Sequence, residues 1–301
     1  METHRVLVTG CSGFIGPHVV ENLERAGHEV VGLDVVKSSY PTSGFFNGDF
    51  TQRNELRRAL RDVTVVCHLG GVGDVYLAER DPLLAFRANA YGTKVVCDEC
   101  ARLGVEKLVY ASTWEVYGQP HSDPIDETHP CAPESHYSIS KFAGELFVRR
   151  ANGLQGMETL ALRLGTAYGP RMRENTVIAR FISSAKSGKP LTIFGDGTQF
   201  RQFTHVSDIG RGFALAISGL SQSGVYNLLS DETITMLDLA GLVARRYGTT
   251  IAHQPARLSE PPSAHISAAK AATEFGWKKS ISFSDGLEPL LAAPEPSLVT
   301  M

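Results

Sequence analysis

Tyr137 and Lys141 stand four residues apart in a stretch with helical patterning, so their side chains share one face of a helix. A phenol titrates near a pKa of about 10, too high for a base at neutral pH. A neighbouring ammonium favours the phenolate and brings it toward a useful range. The spacing alone also fits a surface Tyr/Lys pair on an amphipathic helix. Upstream, Ser112-Thr113-Trp114-Glu115-Val116-Tyr117-Gly118 follows a strand-like run, on the carboxyl edge where α/β folds place their ligands. A hydroxyl there can hold the substrate oxygen that a phenolate deprotonates, and Glu115 adds a carboxylate. A loop cap or a salt-bridge partner is the plain alternative for Glu115.

A second constellation lies near the start of the chain. In Thr9-Gly10-Cys11-Ser12-Gly13-Phe14-Ile15-Gly16 the glycines are spaced three apart, between a strand-like run and a helical one. Positions without side chains let the backbone turn tightly and approach a pyrophosphate, whose charge then meets a helix N-terminus. Asp34 follows the second strand, 18 residues beyond Gly16, where a carboxylate can accept hydrogen bonds from an adenosine ribose. The same carboxylate repels a 2′-phosphate, so the expected cofactor is NAD rather than NADP, with nearby Lys37 working the other way. The positive nicotinamide ring would also favour a phenolate at Tyr137. Asp49 and Phe50 could set a carboxylate and a ring beside the adenine, and a capping role is the alternative for Asp49.

The elements that position these groups alternate β-branched runs with helical stretches, the pattern of a parallel sheet covered by helices. Strands are expected at Arg5 to Val8, Glu29 to Leu33, Val63 to Leu69, Lys107 to Ala111, Glu158 to Leu164 and Val225 to Leu229. A first helix runs to Arg25 and ends at Gly27; a second, capped by Thr51, carries Leu56 and Leu60. Asp81-Pro82 opens a long helix that Gly104 closes. Further helices are expected at Ser135 to Arg150 and Leu237 to Tyr247, with a turn at Gly195-Asp196-Gly197 and a frayed tail over the last ten residues. The fold class is α/β: a Rossmann-type doubly wound parallel sheet with a smaller, mixed α/β C-terminal part. Residues 1–165 form the NAD-binding domain, with a return to the sheet near 200–229, and 166–301 mainly bind substrate. The two parts are expected to make one unit with a cleft between them.

Bulk composition narrows the function class. Hydrophobic residues make up 43% and charged residues 20%, ordinary for a soluble globular protein. A net charge of −3, with scattered Lys and Arg, argues against nucleic acid or an anionic membrane surface as the partner. No apolar run approaches the roughly 20 residues that span a bilayer, and the N-terminus runs straight into Val6-Leu7-Val8 without room for a signal peptide. The five cysteines are an odd number, and Cys11, Cys67, Cys97 and Cys100 fall in regular elements, which fits a reducing cytoplasm. Cys97 and Cys100 form a lone CxxC within a helical pattern and read as small core-facing residues rather than a metal or redox site.

Taken together, these motifs resemble the extended short-chain dehydrogenase/reductase family of nucleotide-sugar epimerases, dehydratases and decarboxylases, over nearly the whole length. The resemblance rests on the glycine loop, Asp34, His68-Leu69-Gly70-Gly71, the Ser-Thr-x-Glu-Val-Tyr-Gly segment and the Tyr137/Lys141 pair. It continues through Arg163 to Gly169-Pro170-Arg171-Met172, Gly195-Asp196-Gly197, Arg201 to Asp208, and His265 to Lys270 before Phe275-Gly276-Trp277. It implies that Gly10, Gly13, Phe14, Ile15, Gly16, Leu69 and Gly70 join Asp34, Asp49 and Phe50 around NAD. It implies too that Thr113 orients the substrate hydroxyl, Tyr137 is the base, and Lys141 grips the nicotinamide ribose and lowers the tyrosine pKa. Bound NAD takes a hydride from the sugar, usually at C4, and returns it later. Arg201 matches the residue that contacts the nucleotide diphosphate, and Trp114 and Thr166 occupy substrate-facing positions. The implied partner is a UDP-sugar and the implied assembly a homodimer.

Glu115 discriminates between reactions. A C4 epimerase resembling this chain commonly has a small neutral residue there, whereas dehydratases and uronate decarboxylases carry the glutamate. Once C4 is a ketone the C5 proton is acidic, and a carboxylate can remove it, so dehydration is the leading expectation. Epimerisation, decarboxylation and a non-catalytic dinucleotide sensor are the alternatives. Three positions depart from the family pattern. Trp114 stands where 4,6-dehydratases have an aspartic acid, Thr166 where an asparagine usually touches the diphosphate, and Pro261-Pro262-Ser263 where an arginine usually precedes His265.

Overall fold

The computed structural model describes residues 3–37, 42, 44–219, 223–256 and 263–293. Pro261, Pro262 and most of the expected C-terminal tail lie outside the described residues. Val6, Leu7 and Val8 are fully buried, and Val65, Val66 and Cys67 nearly so, because helices cover both faces of the sheet that these runs enter. The strands are β1 (Arg5–Thr9), β2 (Glu29–Asp34), β3 (Gly44–Asn47), β4 (Val65–His68), β5 (Lys107–Thr113), β6 (Glu158–Leu164), β7 (Thr166–Tyr168), β8 (Leu191–Phe194), β9 (Phe200–Arg201), β10 (Phe203–His205), β11 (Gly224–Leu228), β12 (Ile234–Thr235) and β13 (Ile251–Gln254). The helices are α1 (Gly16–Arg25), α2 (Arg53–Ala59), α3 (Val75–Arg80), α4 (Pro82–Phe86), α5 (Thr93–Leu103), α6 (His136–Ala151), α7 (Val177–Lys186), α8 (Val206–Gly219), α9 (Met236–Tyr247), α10 (Ala269–Phe275) and α11 (Phe283–Ala292).

Seven parallel strands form the main sheet in the order β3-β2-β1-β4-β5-β6-β11. The order reverses between β1 and β4, so the carboxyl ends of these two strands open the crevice in which doubly wound sheets bind ligands. One face is covered by α1, α8 and α10 through Val19, Leu23, Ile209, Phe213 and Ala271. The other is covered by α2, α5 and α6 through Leu56, Val96, Cys100 and Val148. A separate cluster joins α7, α9 and α11 with β8, around Ile182, Leu239, Val243 and Leu287. Cys97 and Cys100 are buried in the second of these clusters, and all five cysteines are free.

Several expectations need correction. The sequence reading contains neither β3 nor α3, both short and without a clear period. The Asp81–Gly104 helix is interrupted by a π-helical stretch, Arg87–Gly92, although Asp81 does cap α4 through the Leu84 N–H and Gly104 does close α5 with a positive φ. Thr51 does not cap α2: the N-cap position is Gln52, and the Thr51 N–H is held by Asp49 Oδ1 at 2.8 Å. Among the described residues only β11 returns to the main sheet, because β9 and β10 pair in small ladders with β12 and β7. The later chain also returns as α8, whose Gly210 lies so close to α1 that a Cβ would meet His18 O at 2.4 Å.

Candidate active site

The carboxyl end of β5 delivers Thr113, and a 3₁₀ turn over Trp114–Tyr117 brings Glu115 to the same edge. Opposite them α6 begins with a capping box in which the Ser135 and Ser138 hydroxyls each accept the other's backbone N–H. Glu79 of α3 reinforces that start by accepting the His136 backbone N–H at 2.9 Å and its Nδ1–H at 2.8 Å. Tyr137 is thus placed on the first turn of a helix anchored from two sides. Its hydroxyl reaches Thr113.

Burial pushes the Tyr137 phenol up to about 12, and the nearby Glu115 carboxyl acts the same way, while the Thr113 hydrogen bond and Arg173 oppose them. Lys141 is buried, with Nζ 4.3 Å from the centre of the Tyr110 ring, and burial pushes its ammonium down to about 7. Burial also raises Glu115 to about 7, against the pull of the Arg201 guanidinium from β9. Glu115, Tyr137 and Arg201, scattered in sequence, are brought together. Thr166 starts β7, directly after β6, and is half-buried.

Trp114 is buried. It packs in a cluster with Val116, Tyr117, Ile125, Leu229 and Ile266. Where the usual arginine before His265 is missing, Ser263 Oγ accepts the Phe200 N–H, and His265 stacks on Phe200 and pairs with Asp123.

The glycine loop joins β1 to α1. Gly10 has φ +72°, and a Cβ there would lie 2.7 Å from Gly70 N. A Cβ on Gly16 would lie 2.2 Å from Gly10 O, so α1 can start this close to the loop only without a side chain. Asp34 closes β2 with its carboxylate on the loop, accepting from Ser12 N at 3.0 Å and Val36 N at 3.1 Å. Phe14 and Ile15 direct their side chains into the C-terminal and central clusters, leaving their backbone to the loop.

Beside Asp34 opens a cavity of about 340 Å³, lined by Leu33, Phe46, Asp49, Glu55 and Arg58 among others. Asp49 lies on the wall of this cavity, and it also turns the chain toward α2. The aromatic ring in the cavity is that of Phe46, not Phe50. Phe50 is wedged edge-on against His68 with ring centroids 5.1 Å apart, so close to Gly70 and Gly92 that a Cβ on either would meet it. The fit to NAD is good: a glycine-punctuated loop that opens a helix N-terminus, a carboxylate at the end of β2, and a cavity beyond it.

Sequence reasoning missed the residues that hold this edge together. His68 is completely buried, and burial holds its pKa down at about 3. Thr93 Oγ1 donates to Asn89 O, so His68 Nε2–H donates to Thr93 at 3.0 Å, and Nδ1 accepts from Thr9 at 2.7 Å. Thr9 Oγ1 accepts the Gly70 N–H at 3.1 Å. Asn89, in the π-helical stretch, grips Val72 N and O and Ser140 Oγ. A histidine closing a β-branched run was the available signal for this chain; for Asn89 there was none.

Residues 6–228 match the NAD dependent epimerase/dehydratase family. A putative UDP-glucose 4-epimerase of Methanocaldococcus jannaschii is 29% identical over 94% of this chain and 96% of its own. A dTDP-glucose 4,6-dehydratase of Streptomyces griseus is 28% identical, over 97% and 94%. The solved structure of MoeE5 in complex with UDP-glucuronic acid and NAD superposes with a TM-score of 0.87 at 31% identity, covering 94% of this chain and 96% of that one. Names among the relatives thus span epimerase, 4,6-dehydratase and, in Arabidopsis thaliana, uronic acid decarboxylase. With the glycine loop at the switch point and the Thr113, Glu115, Tyr137 and Lys141 cluster at the next strand ends, the chain belongs to the NAD dependent epimerase/dehydratase family.

Proposed function

We propose that the protein modifies a nucleotide sugar, a UDP-sugar in the first instance, by transient oxidation at C4 followed by removal of the C5 proton, ending in dehydration. The observation that carries this reading is Glu115, a carboxyl beside Tyr137 that burial has moved to about 7. At that value it can take up a proton and give one back near neutral pH. NAD, when bound, supplies the hydride acceptor and donor and a positive ring charge that favours the Tyr137 phenolate.

The chain's own groups divide the rest. Thr113 holds the C4 hydroxyl, Tyr137 accepts its proton, and Lys141 grips the nicotinamide ribose. Glu115 removes the C5 proton and returns it to the departing C6 oxygen, which makes both events occur on one face of the sugar. Arg201 and Thr166 face the diphosphate. Gly10, Gly13 and Gly16, with the backbone of Phe14 and Ile15, accommodate the cofactor pyrophosphate. Asp34 accepts from the adenosine ribose, Asp49 borders the adenine, and Leu69 and Gly70 border the nicotinamide side. Residues 1–165, completed by β11, serve the cofactor, and 166–301 serve the sugar nucleotide. The exposed Leu83 and Phe86 of α4, Tyr91, and Ile139 and Leu146 of the adjacent α6 form the face on which a second copy pairs with the same helices.

One observation favours a second reading, C4 epimerisation: the position before Glu115 holds Trp114, buried, so no acid stands beside it there. Incubation with UDP-glucose and UDP-glucuronic acid, with product mass as the readout, separates the possibilities. Loss of water supports dehydration, unchanged mass epimerisation, and loss of carbon dioxide decarboxylation. Tight NAD binding without turnover would support a sensor. Glu115→Gln should abolish water loss; normal product formation by that variant would overturn the role given to Glu115.

A further inference from the structure

Helix α6 carries a third polar side chain on the face of Tyr137 and Lys141. Glu145 lies one turn beyond Lys141, and its side chain is fully buried. Its Oε2 accepts from Ser112 Oγ at 2.6 Å and Arg163 Nε at 3.1 Å, and its Oε1 accepts from Arg163 Nη2 at 2.7 Å. Ser112 directly precedes Thr113 on β5, and Arg163 lies beside it on β6 with Ser112↔Arg163 in register. One carboxylate therefore ties the tyrosine helix to the strand that presents Thr113.

We propose that Glu145 is a positioning residue for the Tyr137/Lys141 pair, its ion pair with Arg163 fixing α6 across β5 and its negative charge holding the buried Lys141 side chain as an ammonium. The proposal rests on the functional reading above only for its consequence in turnover. Facing Lys141 are Tyr110 from β5, the neutral His68 from β4, and Tyr137 and Glu145 from its own helix. Beyond Glu145 stand Arg163 from β6 and Arg149, whose Nη1 is 3.9 Å from Oε1. Burial pulls Lys141 down, and Glu145 is the group that opposes it. An ammonium at about 7 is half lost at neutral pH, so removing its supporting anion would leave it mostly uncharged.

Glu145→Gln alone leaves Arg163 buried without its partner, a change that commonly unfolds a protein. The test therefore also uses Glu145→Gln with Arg163→Met, which removes both charges together. Lysine side chains labelled with ¹³C and ¹⁵N are titrated by NMR, the Lys141 signal being identified by its loss in Lys141→Met. The Lys141 midpoint should fall in the double variant, by less than the roughly one pH unit expected from losing Glu145 alone, because the more distant Arg163 charge goes with it. An unchanged midpoint would overturn the proposal. With UDP-glucose as probe, the alkaline limb of the turnover profile should move down with it, whereas a purely structural role lowers turnover without moving that limb. Absence of wild-type turnover on UDP-glucose, with the NMR shift present, would count against the functional reading and leave the role of Glu145 standing.

Discussion

The Glu115 carboxyl makes a prediction about stability that can be checked without a substrate. Its pKa stands at about 7 in the folded chain against an ordinary 4.5, with burial as the first cause. The folded state therefore binds an extra proton between these values, and stability is lost as pH rises through that window. Below about 4.5 both states are protonated and the group costs nothing. Above about 7 both are ionised, and the folded state bears the full cost of a buried carboxylate. At about 1.36 kcal/mol per pKa unit, the cost is on the order of 3 kcal/mol, most of it arising between pH 5 and pH 8. Glu115→Gln keeps the size of the side chain and cannot ionise. Its stability relative to wild type, from urea unfolding, should rise by about 2–3 kcal/mol on going from pH 5 to pH 8. Effects of the amide itself do not depend on pH and cancel in that comparison. The same offset at both pH values would mean that Glu115 ionises as it does in water, and the argument for a proton-returning carboxyl would fail.

Tyr137→Phe removes one oxygen from a packed ring, so thermal unfolding should be little changed while turnover falls on the order of 10² to 10⁴; near wild-type turnover would sink the base assignment. Asp34→Ala should weaken NAD binding measured by calorimetry and narrow its advantage over NADP, whereas tighter wild-type binding of NADP would show that the carboxylate at the end of β2 does not select the cofactor. Phe86→Glu places a charge on the exposed face of α4 and α6, and sedimentation should show a dimer in wild type and a monomer in the variant; a monomeric wild type would remove the second copy from that face.

The sequence by itself determined the parts whose physics is local. Glycines at 10, 13 and 16 between a β-branched run and a helix can be read as a tight approach, and the fold places Gly16 against Gly10 O. The Tyr137/Lys141 spacing needs only the helical period, and Asp81-Pro82 and Gly104 mark helix ends through backbone conformations that few residues adopt. The strand β6 (Glu158–Leu164) was legible because Leu160, Ala161, Leu162 and Leu164 cluster in a short run of the kind a buried parallel strand needs. What only the tertiary structure decided are properties that arise from neighbours distant in sequence. The pKa of Glu115 depends on how much protein closes over it and on Arg201 arriving from β9. Lys141 is likewise a weakened cation because Tyr110 and the helix bury it, which spacing alone could not show. Phe46 rather than Phe50 enters the cavity beside Asp34, since β3 is an edge strand held by pairing with β2 rather than by a pattern of its own. Glu145, Ser112 and Arg163 form one buried cluster only when α6 packs across β5 and β6. Local rules specify which side chain a turn or helix presents, whereas solvation and charge are set by every element packed around it.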